Sequence, residues 1–130
     1  MIGRRAFDRR NNLKMDCNDR IVYPAGSLMV YIKVGNEENG MAIPKQDFLR
    51  PEEQRFSAIS PEVSAFTLTE DKRLMIIGTA QSESNLIVWE INTSMQLARL
   101  IIPNCCTILY IRVAHDNRHL IIIGLTRDYL

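Results

Sequence analysis

The stretch that decides the fold reads Glu70-Asp71-Lys72-Arg73-Leu74-Met75-Ile76-Ile77. A charged cluster suited to a solvated turn runs straight into four apolar residues rich in strand formers. Just upstream, Phe66-Thr67-Leu68 alternates apolar and polar side chains, the period of a half-buried strand. Strand, tight charged turn, strand is an antiparallel hairpin. The pattern returns at His115-Asp116-Asn117-Arg118-His119-Leu120-Ile121-Ile122, preceded by Ile111-Arg112-Val113. Asp71 and Asp116 stand 45 residues apart, and so do Arg73 and Arg118.

Between the two hairpins, Leu86 to Ile91 forms a third apolar run, and Gln96 to Ile102 a fourth. Residues Thr93 to Leu100 taken alone read equally as helix or strand, but the β-branched Ile101-Ile102 that follow suit a strand. Four strands recurring at about 45 residues are the signature of a β-propeller blade. Upstream, Ile21-Val22-Tyr23 and Leu28 to Ile32 read as strands, separated by the turn residues Pro24-Ala25-Gly26. Gly35, Gly40, Pro44 and Pro51 mark residues 34–53 as a long inserted loop. The expected fold is all-β: antiparallel four-stranded blades, incomplete, with about two blades plus the start of a third. The divisions are an N-terminal segment 1–20, a first blade 21–60, a second 61–103 and a partial third 104–130. A propeller of about four to eight such blades needs a longer chain. The expectation is therefore a truncated propeller, or one completed by neighbouring chains.

Composition narrows the function classes. The chain has 130 residues, is 46% hydrophobic and 24% charged, and carries a net charge of +1. That balance argues against a dedicated nucleic-acid binder, whose basic excess is usually strong. No apolar run approaches the roughly 20 residues of a membrane helix. Three cysteines, Cys17, Cys105 and Cys106, with no secretory signal pattern, point to a reducing compartment. The adjacent Cys105-Cys106 are poorly placed for a zinc site, and His115 and His119 fall at the repeated turn. No phosphate-binding glycine loop or nucleophilic triad is legible, so the expectation is a non-enzyme with no catalytic residue, metal or cofactor.

The stretch from Val63 to Ile102 resembles a WD-repeat blade. Glu70-Asp71-Lys72-Arg73 stands where that family has its Pro-Asp-Gly-Arg turn, and Leu86-Ile87-Val88-Trp89-Glu90 is similar to its Ile-x-Val-Trp-Asp strand end. The sequence departs in having Ala58-Ile59-Ser60-Pro61 in place of a Gly-His pair, and Trp89-Glu90 in place of Trp-Asp. Asp8 and Arg10-Asn11-Asn12-Leu13, then Ile21-Val22-Tyr23, Leu28 to Ile32 and Gln54-Arg55-Phe56, resemble a second pattern. That pattern is the HELP motif that opens the propellers of the echinoderm microtubule-associated protein-like family, and Val22-Tyr23-Pro24-Ala25-Gly26 is similar to the entry strand of several WD-repeat proteins of cilia and flagella. The resemblance makes residues 1–20 a HELP-like segment and implies blade-packing roles for Trp89, Glu90, Asp71 and Asp116. It implies a structural scaffold docking proteins on microtubules or in an axoneme, with tubulin or axonemal proteins as partners and no nucleic acid or membrane. A general WD-repeat adaptor of signalling or ubiquitin-ligase complexes is the alternative.

Two groups of residues are candidates for partner binding. Arg4, Arg5, Arg9 and Arg10, together with Lys14 and Arg20, are six basic residues that suit an acidic protein surface. The alternative for them is nucleic-acid phosphate, or packing with their charge offset by Asp8, Asp16 and Asp19. Met41, Ile43, Phe48 and Leu49 are apolar anchors in an otherwise polar loop. They suit an interface and equally suit folding back onto the first blade.

Overall fold

The computed structural model describes residues 13–34, 44–49 and 61–126. Ten strands follow in order: β1 (Lys14–Met15), β2 (Ile21–Ala25), β3 (Leu28–Val34), β4 (Pro44–Leu49) and β5 (Glu62–Leu68). Then come β6 (Leu74–Ala80), β7 (Asn85–Glu90), β8 (Met95–Ile101), β9 (Cys105–Val113) and β10 (Leu120–Thr126). The described residues contain no helix, and none that is long and apolar enough to cross a membrane. The all-β expectation holds.

Each strand pairs antiparallel with its sequence neighbour, because short turns can close only antiparallel partners. The first sheet runs β1-β2-β3-β4. The second contains the meander β5-β6-β7-β8, and the β9–β10 hairpin joins it through one bridge, Ala80 opposite Thr107, making six strands in all. Neither sheet closes into a ring.

Two features correct the sequence reading. Residues 44–49, expected within a loop spanning 34–53, form β4, with Val34 opposite Pro44 and Met29 opposite Leu49. The run Pro-Lys-Gln-Asp-Phe-Leu has little strand propensity of its own. The open edge of β3 supplies its hydrogen bonds, and Pro44 sits at the first strand position, where a missing N–H is tolerated. Residues 14–20 also join the first sheet, since Lys14 pairs with Val22 and Met15 with Ile21.

The repeat extends to individual bonds. In the β5–β6 turn, the Thr69 N–H donates to Leu74 O (3.0 Å) and the Lys72 N–H to Thr69 O (2.8 Å). Forty-five residues on, the Ala114 N–H donates to His119 O (2.9 Å) and the Asn117 N–H to Ala114 O (3.0 Å). Lys72 and Asn117 both take the left-handed backbone, φ 60° and 55°. The side chains of Asp71 and Asp116 each accept from the N–H two residues on, Arg73 (3.1 Å) and Arg118 (2.9 Å). A third, one-residue-shorter version closes β1–β2: the Asp16 N–H donates to Arg20 O (2.9 Å), and Asp19 has φ 57°.

Packing is built on β6. Met75 and Ile77 face one way into a cluster with Val63, Phe66 and Ile87, capped by Val22, Met29 and Tyr31 of the first sheet. Ile76 faces the other way, with Leu86, against Cys105, Ile108 and Ile111 of β9. Burial on both faces explains the unbroken apolar run 74–77, which an alternating strand would not show. Each fully buried side chain of this kind contributes about 1.5–3 kcal/mol. A third cluster, Tyr23, Ala25 and Val30 with Ile21 and Ile32, lies on the far face of the first sheet.

Candidate functional site

The turns joining β1–β2, β5–β6, β7–β8 and β9–β10 gather at one end of the stacked sheets. The Ile91 N–H donates to Arg73 O (2.9 Å), and Asn18 Nδ2 donates to Asn92 Oδ1 (3.2 Å), tying three of them together. Glu70 Oε2 meets His115 Nδ1 at 3.2 Å, linking equivalent positions of the two repeated turns. Both side chains are strongly exposed, so this contact positions the turns rather than stabilising them.

A cleft of about 290 Å³ descends from this end between β5 and β9. Thr67, Tyr110 and apolar residues line it, together with Lys14, Arg112 and the contacting pair Glu70 and His115. Two cations and an imidazole against one carboxylate suit an acidic, extended ligand segment. Arg112 was legible as the polar middle of Ile111-Arg112-Val113, since it points away from the side chains packed on β6. Lys14, one of the six basic residues that suit an acidic surface, lines this cleft. It is brought to the cleft by the two-residue strand β1.

Electrostatics fix the turns. The Thr69 hydroxyl and then the Arg73 N–H hold the Asp71 carboxyl below its ordinary range. The Arg118 N–H and then the His119 ring do the same for Asp116, with His119 Nδ1 at 2.8 Å from the carboxylate. In the first turn Asp16 is buried, and its Oδ1 accepts from the Asn18 N–H (2.8 Å) and Arg20 N–H (3.0 Å). Its Oδ2 binds Arg20 Nε at 2.8 Å, and the guanidinium lies over the Tyr31 ring, 4.3 Å from its centroid. Burial pushes the Tyr31 hydroxyl up to about 12.

Of the other sequence-derived residues, Trp89 packs against the cluster joining the first two sheets, its buried Nε1 without a hydrogen-bond partner. The carboxylate of Glu90 accepts from Thr93 Oγ1 (3.1 Å) and closes the β7–β8 turn. Phe48 and Leu49 lie on strand β4, not in a loop. Phe48 is 51% exposed, whereas Leu49 packs inward against the first cluster. Arg4, Arg5, Arg9, Arg10, Met41 and Ile43 lie outside the described residues. The three cysteines are free thiols: Cys105 is buried in the second cluster, Cys106 Sγ donates to Leu125 O and Cys17 Sγ to Asn92 Oδ1. Among the described residues no three His, Cys, Asp or Glu side chains gather as a metal site. No protein-family model matches the chain, and neither does any curated protein sequence.

Proposed function

We propose that this chain is a non-enzymatic scaffold that docks partner proteins, built from WD-repeat-type propeller blades. In this reading β5–β8 is one blade, the first sheet with its HELP-like segment the blade before it, and β9–β10 the opening hairpin of the next. The observation that carries the reading is the repeated turn: the same two backbone bonds, left-handed residue and aspartate cap recur 45 residues apart. Repeated sheets with their turns gathered at one end suit a role in which rigid strands present variable loops. The basic segment Arg4 to Arg10 and the cation-rimmed β5–β9 cleft both suit acidic protein segments, of which tubulin tails are the partner implied by the resemblance. The cellular setting in this proposal is cytoplasmic and cytoskeletal, on microtubules or in the axoneme of a cilium or flagellum.

Co-sedimentation with polymerised tubulin tests it. The chain is expected to pellet with microtubules, and replacing Arg4, Arg5, Arg9 and Arg10 by glutamate is expected to release it. A tagged copy that stays diffuse in cells, together with no pelleting, would overturn the cytoskeletal reading.

A further inference from the structure

The cleft between β5 and β9 has a neighbour. A second cleft, of about 300 Å³, opens between β1 and the β5–β6 turn, with Lys14, Leu68, Glu70 and Lys72 among its lining residues. Lys14, Leu68 and Glu70 line both clefts, so the two adjoin as one groove that crosses from β1 over the end of β5 to β9. Leu68, half-buried, is the apolar residue common to both.

Charge in this groove is unmatched. Lys14, Lys72 and Arg112 line it, and among the described residues none of the three has an ion-pair partner. The acidic side chains nearby are already engaged. Glu70 meets His115 (3.2 Å), and the Asp71 carboxylate accepts from the Thr69 hydroxyl and the Arg73 N–H. Asp116 accepts from the Arg118 N–H and lies 2.8 Å from the His119 ring, while Asp16 is buried against Arg20. In a chain whose net charge is only +1, three unpaired cations along one groove are a local field rather than a share of a general excess.

The repeat keeps this groove clear of the strands that build the layers. β9 is the equivalent of β5, and a strand following β10 as β7 follows β6 pairs on the edge of β10 remote from the groove. The residues leading into Lys14 carry Arg4, Arg5, Arg9 and Arg10 against Asp8 alone, the wrong sign for a cationic site.

We propose that the groove binds an acidic, extended segment of a partner protein. One apolar side chain of the segment rests on Leu68, and carboxylates on either side of it meet Lys14, Lys72 and Arg112. The inference rests on the scaffold reading and gives the turn end of the scaffold its class of partner.

The probe is a labelled peptide of four glutamates, one leucine and four glutamates, titrated into the full chain at about 0.1 M salt. Binding is expected at one peptide per chain, tighter than that of octaglutamate, and lost as salt approaches about 1 M and screening shortens to about 3 Å. Lys14→Gln, Lys72→Gln and Arg112→Gln each weaken it about threefold, and Glu70→Gln tightens it by a similar factor. Lys33→Gln removes the same charge from β3, outside the groove, and leaves binding unchanged. All these side chains are exposed or half-buried, and circular dichroism of each variant checks that the sheets persist. No binding, or equal losses in Lys33→Gln and the groove variants, would overturn the proposal. So would tighter binding of a single-stranded oligothymidylate, which would make the groove a nucleic-acid site. Tighter peptide binding in the double variant Glu37→Gln, Glu38→Gln would overturn it too, by making the chain's own acidic residues the occupant. Tubulin co-sedimentation is read separately. Its failure with peptide binding intact removes the cytoskeletal setting and leaves the groove, whereas the reverse outcome removes the groove and leaves the scaffold.

Discussion

At the scale of single residues, three groups with displaced protonation tie stability to pH, two carboxyls on the acid side and one tyrosine on the alkaline side. Asp71 and Asp116 bind protons more weakly in the folded chain than their ordinary 3.8, because turn N–H and side-chain donors favour the carboxylate. Their contribution is present above the unfolded value and lost as pH falls through the folded one. Tyr31 acts in the opposite direction. Burial raises it from 10.0 to about 12, so its contribution is complete below pH 10 and lost as pH rises towards 12. A displacement of that size corresponds to about 2–3 kcal/mol, with Arg20 beside the ring working against it. Urea titrations across pH should show an acid limb that flattens in the double variant Asp71→Asn, Asp116→Asn. They should also show an alkaline limb that disappears in Tyr31→Phe. An alkaline limb unchanged in Tyr31→Phe would place its origin elsewhere.

At the scale of elements, legibility followed where the driving force resides. Strands β6, β7 and β10 are written in their own β-branched runs, and the 45-residue spacing announced the two hairpin turns. Strand β4 is not, because its polar sequence becomes a strand only through the edge of β3. Strand β1 escaped because its turn is one residue shorter than the other two, which breaks the spacing. Glu70 and His115 stand at the repeated turns that the spacing marks, and Lys14 belongs to the basic residues of the N-terminal stretch, but their meeting with Arg112 in one cleft depends on the pairing of distant strands and is not written in the sequence. The contact between β6 and β9 was invisible for a different reason: it depends on an absent side chain. A Cβ at Gly78 would lie 2.8 Å from Ile108 Cγ2 and 2.9 Å from its Cβ, and Ile108 is fully buried with branching that prevents it from swinging away. Gly78→Ala should cost about 1–3 kcal/mol through overpacking. Ile108→Ala alone should cost about 2–5 kcal/mol as a cavity, and less in the Gly78→Ala background, where the new methyl fills part of the space. Additive losses in that double-mutant cycle would mean that the two residues do not share a boundary.

At the scale of the whole molecule, the strands β5–β8 pack between the first sheet on one face and the β9–β10 hairpin on the other. The first sheet meets the second through Val22, Met29 and Tyr31, and the second meets β9–β10 through Ile76, Leu86 and Ile108. A backbone bond from the Val63 N–H to Gly26 O (2.8 Å) reinforces the first junction. Stability in such an array is close to a sum of layer and junction contributions, with the middle layer shared by both. Met75 is fully buried and points into the first junction only, while its neighbour Ile76 points into the second. Met75→Ala should therefore cost about 2–5 kcal/mol and spread its effect unevenly. Amide exchange should quicken most in β2, β3 and β5–β7. Protection across β9–β10 should fall only as far as the second sheet opens with it, because its own packing against Ile76 and Leu86 is untouched. Ile108→Ala should give the mirror image, loosening β9–β10 and sparing β2–β3. If both substitutions instead accelerate exchange equally in every strand, the three layers fold as one cooperative unit and the junctions carry no separable energy.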